Sequence, residues 1–123
     1  MRILIISDIH ANQVALEAVL AHAGSFDAVW CLGDLVGYGP NPNECVARVR
    51  ALPGLICLLG NHDQAVLGEI DLRVFNGDAR AAISWTQRAV TDSSSIVLTR
   101  TARRSPPARI TNGSAAAMTH VWP

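Results

Sequence analysis

The chain of 123 residues contains no lysine, and neither sign of charge is in excess. Its ten basic side chains are all arginine, and ten aspartates and glutamates balance them. Charge therefore gives no argument for a nucleic acid or an anionic membrane as a partner. The absence of lysine, beside many alanines and arginines, indicates a GC-rich coding sequence and carries no functional meaning.

Long hydrophobic segments and cysteines are also scarce. No run of about 18 apolar residues is present, so no membrane-spanning helix is predicted. Met1 leads almost directly into an apolar segment without a small-residue cleavage site, and we therefore expect a cytoplasmic protein. Cys31, Cys45 and Cys57 are odd in number and widely spaced. They indicate buried thiols in a reducing compartment and neither a disulfide framework nor a zinc knuckle.

Three short apolar runs predict buried strands, at residues 2–7, 28–32 and 55–59. Half of the residues are apolar, which is enough for the core of one small domain. Each run is followed by polar side chains, and the carboxyl ends of parallel strands meet at one edge of a sheet. The groups expected together at that edge are Asp8 and His10, then Asp34, then Asn61, His62 and Asp63.

Helices are predicted between and after these strands. Asn12 can cap a helix that ends near residue 23, with a wide apolar face made by Val14, Leu16, Val19, Leu20 and Ala23. Asn41-Pro42-Asn43-Glu44 is a capping-box start for a helix that ends near residue 52 and buries Val46, Val49 and Leu52. Residues 64–75 are ambiguous. Asn76 or Asp78 then opens a helix to about residue 90, with Ala79, Ala82, Ile83 and Val90 inward.

The alternation of strand and helix over residues 1–92 predicts an α/β domain with a parallel βαβαβ core. Residues 93–123 contain no Asp or Glu and show no regular pattern beyond a short apolar run at 96–98. We expect an irregular, disordered tail there. The alternative is a complete small domain in which Ile96–Leu98 adds a strand.

The three polar segments, taken together, carry a family resemblance. They are spaced about 25 residues apart, and each follows a predicted buried strand. The combination resembles the calcineurin-like metallophosphoesterase superfamily, and its extended second segment resembles the compact bacterial and archaeal phosphodiesterase-like branch. The resemblance covers residues 1 to about 90 and implies the N-terminal half of an αββα sandwich. The segments are Asp8-Ile9-His10, Gly33-Asp34-Leu35-Val36-Gly37-Tyr38-Gly39-Pro40 and Gly60-Asn61-His62-Asp63.

The resemblance also implies a role for each matching residue. Asp8 and His10 would bind a first divalent metal ion, Asp34 would bridge two ions, and Asn61 would bind the second. His62 would contact the phosphate or protonate the leaving group. Oxygen and imidazole ligands favour Mn, Fe, Co, Ni or Zn. The implied activity is hydrolysis of a phosphate mono- or diester by metal-activated water, with no indicated nucleic-acid or membrane partner and with the oligomeric state open.

The chain departs from the family pattern after residue 92. Two further histidine motifs supply metal ligands in the family, but here Asn112 stands where the first histidine is expected and nothing matches the second. We assign no ligand role to His120. We therefore expect at most one tightly bound ion, weak activity, and a truncated or frameshifted reading frame. The alternatives are a non-catalytic remnant, or a metal- or phosphate-binding fragment. A flavodoxin-like nucleotide-binding module would also fit the alternation of strands and helices, but this chain lacks the glycine-rich phosphate loop that such a module has after its first strand.

Several other polar residues have simpler explanations. Asp63 is expected to hydrogen-bond the turn that aims His62, and His22 to be a polar residue near a helix end. Tyr38 either borders a substrate pocket or is an exposed loop aromatic. Arginines cluster at Arg100, Arg103 and Arg104, and we expect this cluster to be a run of solvated surface charges.

Overall fold

A computed structural model describes residues 1–94 and shows strands and helices alternating along the chain. The predicted α/β class with a parallel βαβαβ core is confirmed. The segment 64–75, for which the sequence is ambiguous, contains the end of a short helix and a 3₁₀ turn, Leu72–Val74. The elements are β1 (Ile3–Ile6), α1 (Gln13–Ala23), β2 (Ala28–Cys31), α2 (Pro42–Arg50), β3 (Ile56–Cys57), α3 (Asn61–Val66) and α4 (Gly77–Ala89).

The sheet has the strand order β1-β2-β3, and both pairs are parallel. The strands are shorter than the apolar runs that predicted them, because the backbone turns away at each carboxyl end. At Asp8 and Asp34 the φ angle becomes positive, which an extended strand cannot accommodate. Leu58 lies past the end of β3 and still donates to Cys31 O at 2.8 Å. All three strands thus end at the same edge.

The two faces of the sheet differ in what covers them. Val29 and Cys31 are fully buried in the core with helices α1 and α2. The neighbouring positions Ile5 and Trp30, which are partners in the register, are 56% and 39% exposed. Because side chains alternate between faces, these two lie on the opposite face. Over residues 1–94 that face remains largely open to solvent.

Helix α1 begins as predicted but buries a narrower stripe. Asn12 Oδ1 accepts a hydrogen bond from the backbone N–H of Ala15 at 3.0 Å, which confirms the cap. The predicted wide apolar face is wrong: Val14 is 81% exposed and Val19 is also exposed. Only Leu16 and Leu20 are buried, because residues four apart form one row along a helix and this row alone meets the core.

Helix α2 starts at Pro42, and it buries Val46 and Val49 as predicted. The predicted capping box is wrong, because the Asn41 side chain makes no cap hydrogen bond. Asn41 is instead held through its backbone N–H, which donates to Ala11 O at 3.0 Å. The helix ends at Arg50, and the predicted burial of Leu52 holds in the turn that follows.

Helix α4 is the last of these elements along the chain. Its cap is Asn76, whose Oδ1 accepts from the Ala79 N–H at 2.9 Å, so the choice between Asn76 and Asp78 is resolved. Ile83 is fully buried, while Val90 is only partly buried. Asn43 of α2 fastens this helix by donating from Nδ2 to Ala89 O at 2.9 Å.

Most of the predicted tail lies outside the described residues, including Ile96–Leu98, the arginine cluster, Asn112 and His120. The division of the chain at residue 92 therefore stays a prediction. Among residues 1–94 no helix is long and apolar enough to cross a membrane. The cytoplasmic location also stays a prediction.

Candidate metal centre

The loop after β1 lies alongside the loop after β2 and is joined to it by backbone hydrogen bonds. The Asp8 N–H donates to Gly33 O at 3.1 Å, and the His10 N–H donates to Asp34 O at 2.9 Å. This pairing brings together three side chains that follow two different strands, Asp8 and His10 after β1 and Asp34 after β2. One ligand atom from each of Asp8, His10 and Asp34 lies within 4.8 Å of the other two. The arrangement has the size of a site for one cation.

The three side chains meet through an unusual backbone. Asp8, His10 and Asp34 have φ angles of 54°, 47° and 53°, which place them in the left-handed region. Asp8 and His10 are not alternate residues of an extended strand, because β1 ends at Ile6. Left-handed backbone is costly for residues other than glycine and concentrates at functional sites. Its presence at all three positions indicates that the fold sustains strain to assemble this cluster.

His10 is oriented by the carbonyl of Val36, which lies 3.3 Å from its Nδ1. Because a carbonyl oxygen can only accept, the neutral ring carries its hydrogen on Nδ1 and keeps a lone pair on Nε2. That Nε2 lies 3.7 Å from Asp8 Oδ1. A lone pair and a carboxylate oxygen at this separation repel unless a cation, either a metal ion or a proton, lies between them. The geometry thus suits metal binding by Nε2, with Val36 fixing the tautomer.

Asp34 is partly buried at the centre of the cluster. Its Oδ1 accepts a hydrogen bond from the backbone N–H of His62 at 3.0 Å. Gly60 packs directly on it, since a Cβ on Gly60 would collide with the Asp34 carboxylate and its backbone nitrogen. Only glycine fits there. The segment after β3 therefore packs on the carboxylate at the start of the loop after β2.

Asn61 and His62 lie in the first turn of α3. Asn61 is exposed and lies between two residues that both contact Asp34. His62 is only 7% exposed, and its Nδ1 has no hydrogen-bond partner in the described part of the chain. Burial lowers the pKa of His62, the charge on Asp34 opposes that shift, and His10 adds to it.

Three rings surround His62. The centroids of Tyr38 and His10 each lie 4.8 Å from the His62 ring, and Phe75 lies at 5.2 Å. The Tyr38 ring centroid also lies 5.1 Å from that of His10, and the side chain is half exposed. Tyr38 is thus an exposed loop aromatic that borders the cluster. No sequence pattern indicates a role for Phe75, because it stands in the ambiguous segment 64–75. The rings hold the His62 imidazole from several sides.

Asp63 is fully buried and binds backbone amides. It accepts hydrogen bonds from Gly60 and Val36, each at 2.9 Å, and from Leu35 at 3.2 Å. Burial raises the pKa of the Asp63 carboxyl to about 6, and the three N–H donors oppose that shift. The prediction that Asp63 hydrogen-bonds the turn before His62 is confirmed. It also ties that turn to the loop that follows Asp34.

A groove of about 610 Å³ opens from the cluster along α1. Asp8, His10 and Tyr38 line it at the polar end, and Ile5 and Val19 line the apolar side. A molecule with a charged group at the cluster and an apolar or planar group beyond it would match this lining.

Other sequence candidates lie away from the cluster. His22 is exposed in the last turn of α1, which agrees with its helix-end reading. Cys31, Cys45 and Cys57 are free and buried, so their predicted role as core thiols is confirmed.

Comparisons with known proteins identify a matching family and several relatives. A family model described as calcineurin-like phosphoesterase matches residues 1–100. An uncharacterised protein of Methanocaldococcus jannaschii is 47% identical over 90 residues, which cover 72% of this chain and 37% of that protein. A symmetrical bis(5'-nucleosyl)-tetraphosphatase of Pectobacterium carotovorum is 38% identical over 72 residues, which cover 54% of this chain and 25% of that enzyme.

Solved structures show the same fold. A metallophosphoesterase from Sphaerobacter thermophilus superposes with a TM-score of 0.69 at 52% identity, over 81% of this chain and 40% of that one. A putative diadenosine tetraphosphatase superposes with a TM-score of 0.64 at 24% identity, over 80% of this chain and 42% of that one, which supports the fold alone. The chain thus spans from a quarter to about two-fifths of the length of these relatives.

Proposed function

The chain belongs to the calcineurin-like phosphoesterase family, and on that premise we propose that it binds a divalent metal ion through Asp8, His10 and Asp34 and hydrolyses a phosphate ester. The observation that carries the proposal is the pair formed by Asp8 Oδ1 and His10 Nε2. Both atoms are acceptors, they lie 3.7 Å apart, and Val36 fixes the ring in the matching tautomer. A shared cation, either a metal ion or a proton, relieves their repulsion, and the carboxylate of Asp34 completes a set of three ligand atoms within 4.8 Å that suits a metal ion.

The donor atoms indicate which ions fit. Two carboxylates and one imidazole are hard to intermediate ligands, which favour Mn, Fe, Co, Ni or Zn over a soft-metal site. Three protein ligands can hold one ion, with water completing the coordination. In residues 1–94 a second ion would have Asp34 as a shared ligand and the amide of Asn61. We therefore propose one tight ion per chain and a much weaker second site.

The protein groups around the ion suit phosphate chemistry. A divalent ion supplies Lewis acidity toward a phosphoryl oxygen and lowers the pKa of a coordinated water molecule. The His62 ring lies beside the cluster, with its centroid 4.8 Å from that of His10, and we assign it to contact a phosphoryl oxygen or to protonate the leaving oxygen. Tyr38 and the groove along α1 would hold the organic part of the ester.

The names of the relatives suggest which esters to test. Those named symmetrical bis(5'-nucleosyl)-tetraphosphatase motivate dinucleoside polyphosphates, beside simple mono- and diesters, as candidate substrates. The planar bases of such compounds match the exposed ring of Tyr38. The second candidate function is binding of metal or phosphate without turnover. It is favoured by the exposure of Asp8 and Asn61, which leaves the cluster open to bulk water.

Hydrolysis of bis-p-nitrophenyl phosphate with Mn²⁺ tests the proposal. We expect slow release of p-nitrophenolate that stops with a chelator and in Asp34→Asn, and that falls by about 100-fold or more in His62→Asn. Asp71→Asn, which changes an exposed carboxylate away from the cluster, is the matched control. Turnover that survives in Asp34→Asn would refute the proposed site. Mn²⁺ binding without any turnover would favour the binding function.

A further inference from the structure

Thr86 is a fully buried hydroxyl on α4 that reaches the loop after β2. Its Oγ1 lies 2.6 Å from Gly37 O, across a separation of 49 residues. The same oxygen lies 2.9 Å from Ala82 O in its own helix. A hydroxyl has one hydrogen to donate, and the shorter contact is the one to Gly37. Gly37 O is therefore the main acceptor of the Thr86 hydroxyl. A threonine in a helix usually donates only to the carbonyl four residues earlier, which here is Ala82 O.

Gly37 is the point at which the loop presses on both imidazoles. A Cβ placed on Gly37 would lie 2.8 Å from His62 Nδ1 and 3.2 Å from His10 Nδ1. Its φ of +133° belongs to a region that residues with side chains rarely adopt. The loop backbone is thus in close contact with the two rings, and its position sets the room that each ring has.

The loop has two attachments on different sides. Asp63 holds the amides of Leu35 and Val36. Thr86 holds the carbonyl of Gly37, one residue further along. Val36 O, which orients His10, lies between these two attachments in the chain. Loss of the hydrogen bonds made by either Asp63 or Thr86 would let Val36 O and Gly37 shift relative to the two imidazoles.

We infer that Thr86 is a positioning residue for the metal centre, acting through Gly37 on the orientation of His10 and His62. The inference rests on the proposed function for its purpose, although the contacts themselves do not depend on it. Thr86 contacts neither Asp8 nor Asp34 by any hydrogen bond recorded in residues 1–94. Its effect must therefore pass through the loop.

The test uses the full chain without metal and reads the imidazole ¹⁵N and ¹H signals by NMR. Thr86→Val keeps the shape of the side chain and removes the hydroxyl, while Thr86→Ser keeps the hydroxyl. We expect Thr86→Val to shift the signals of both His10 and His62 and to leave those of the distant His22 in place. Thr86→Ser should retain wild-type signals. Thr91→Val is the matched control, because it removes a threonine hydroxyl outside this contact.

The Mn²⁺ affinity of the same variants gives the second readout. We expect Thr86→Val to bind Mn²⁺ about 10-fold more weakly, and Thr86→Ser to bind nearly as the wild type does. Unchanged imidazole signals in Thr86→Val would overturn the inference, and so would a Thr86→Ser variant that shifts them. If Thr86→Val does not fold, Thr86→Ala removes the same hydroxyl and takes its place, with the same expected shift and the same contradicting result. A wild type that does not bind Mn²⁺ would refute the proposed function, whereas the imidazole signals would still decide the role of Thr86.

Discussion

The backbone N–H of His62 donates to Oδ1 of Asp34 at 3.0 Å, so the helix after β3 begins on the carboxylate that follows β2. This bond places the buried imidazole and the proposed bridging ligand in one rigid unit. It also leaves the exposed Asn61 side chain beside the same carboxylate. The positions of the proposed ligands are thus coupled through the backbone, and a change to one loop is expected to affect the other.

Asp63 holds that unit together, and its replacement is the first prediction. Asp63→Asn removes one acceptor oxygen and turns an N–H₂ toward the backbone amides that donate to Asp63. We expect the free energy of unfolding to fall by about 1–3 kcal/mol. Urea denaturation followed by circular dichroism measures it. Asp71→Asn should leave the midpoint nearly unchanged, because its partner Arg73 is exposed. Equal losses in both variants would contradict the role assigned to Asp63.

Gly37→Ala is the second prediction, and it concerns the room around the two imidazoles. The added Cβ would meet His62 Nδ1 at 2.8 Å, on a backbone with a φ of +133°. We expect a loss of about 1–3 kcal/mol from backbone strain and a loss of Mn²⁺ affinity of about 10–100-fold.

Gly68→Ala separates the two effects in that experiment. Gly68 has a φ of +77°, but a Cβ there meets no atom within 4 Å. It should therefore lose stability from strain and keep its Mn²⁺ affinity. If both variants lose affinity equally, contact with the imidazoles is not the cause.

The ends of the strands could be predicted from the sequence because they depend only on short-range patterns of residues. Short apolar runs followed by polar residues identify buried parallel strands, and such strands deliver their carboxyl ends to one edge. The placement of Asp8, His10 and Asp34 at one edge follows from this rule alone. The order of helices and the caps at Asn12 and Asn76 are equally local, since each cap bonds a backbone amide three residues away.

Other features depend on contacts between distant residues, and these the sequence did not reveal. The bond from Thr86 to Gly37 joins positions 49 residues apart. The left-handed backbone of His10 is sustained by pairing with the loop after β2, which no propensity of histidine predicts. The exposure of Val14 depends on which row of α1 meets the sheet. In each case tertiary packing decides between locally equivalent choices.

The narrow buried stripe of α1 supplies the third prediction. Leu16→Ala removes a side chain from the core, and we expect it to cost about 2–5 kcal/mol. Val14→Ala lies two residues away on the same helix, at an exposed position, and should change the free energy of unfolding by about 0.5 kcal/mol or less. Thermal and urea unfolding of the two variants measure the difference. A large loss in Val14→Ala would restore the wide apolar face that the sequence suggested.

The fourth prediction is a dependence on alkaline pH. Burial raises the pKa of the Cys45 thiol from 9.0 to about 11, and the charges of Glu44 and Glu17 add to the shift. Because the folded-state pKa is the higher one, the stability due to the neutral thiol is complete below pH 9 and is lost as the pH rises through 11. Cys45→Ala removes this group at the expense of some packing.

Urea unfolding at pH 8 and pH 10.5 tests that prediction. The wild type should exceed Cys45→Ala in stability at pH 8, and the difference should narrow at pH 10.5. A difference that is the same at both values would show that Cys45 does not titrate with a raised pKa.

In the native state at pH 8, none of the three buried thiols should react rapidly with a disulfide reagent.

Isothermal titration of the metal-free full chain with Mn²⁺ tests the central claim most directly. The account predicts one tight site per chain, weakened by at least about 100-fold in Asp34→Asn and retained in Asp71→Asn. Asp34 is chosen because its carboxylate lies at the centre of the cluster with Asp8 and His10. Wild-type affinity in Asp34→Asn, or two sites of equal affinity in the wild type, would contradict the account.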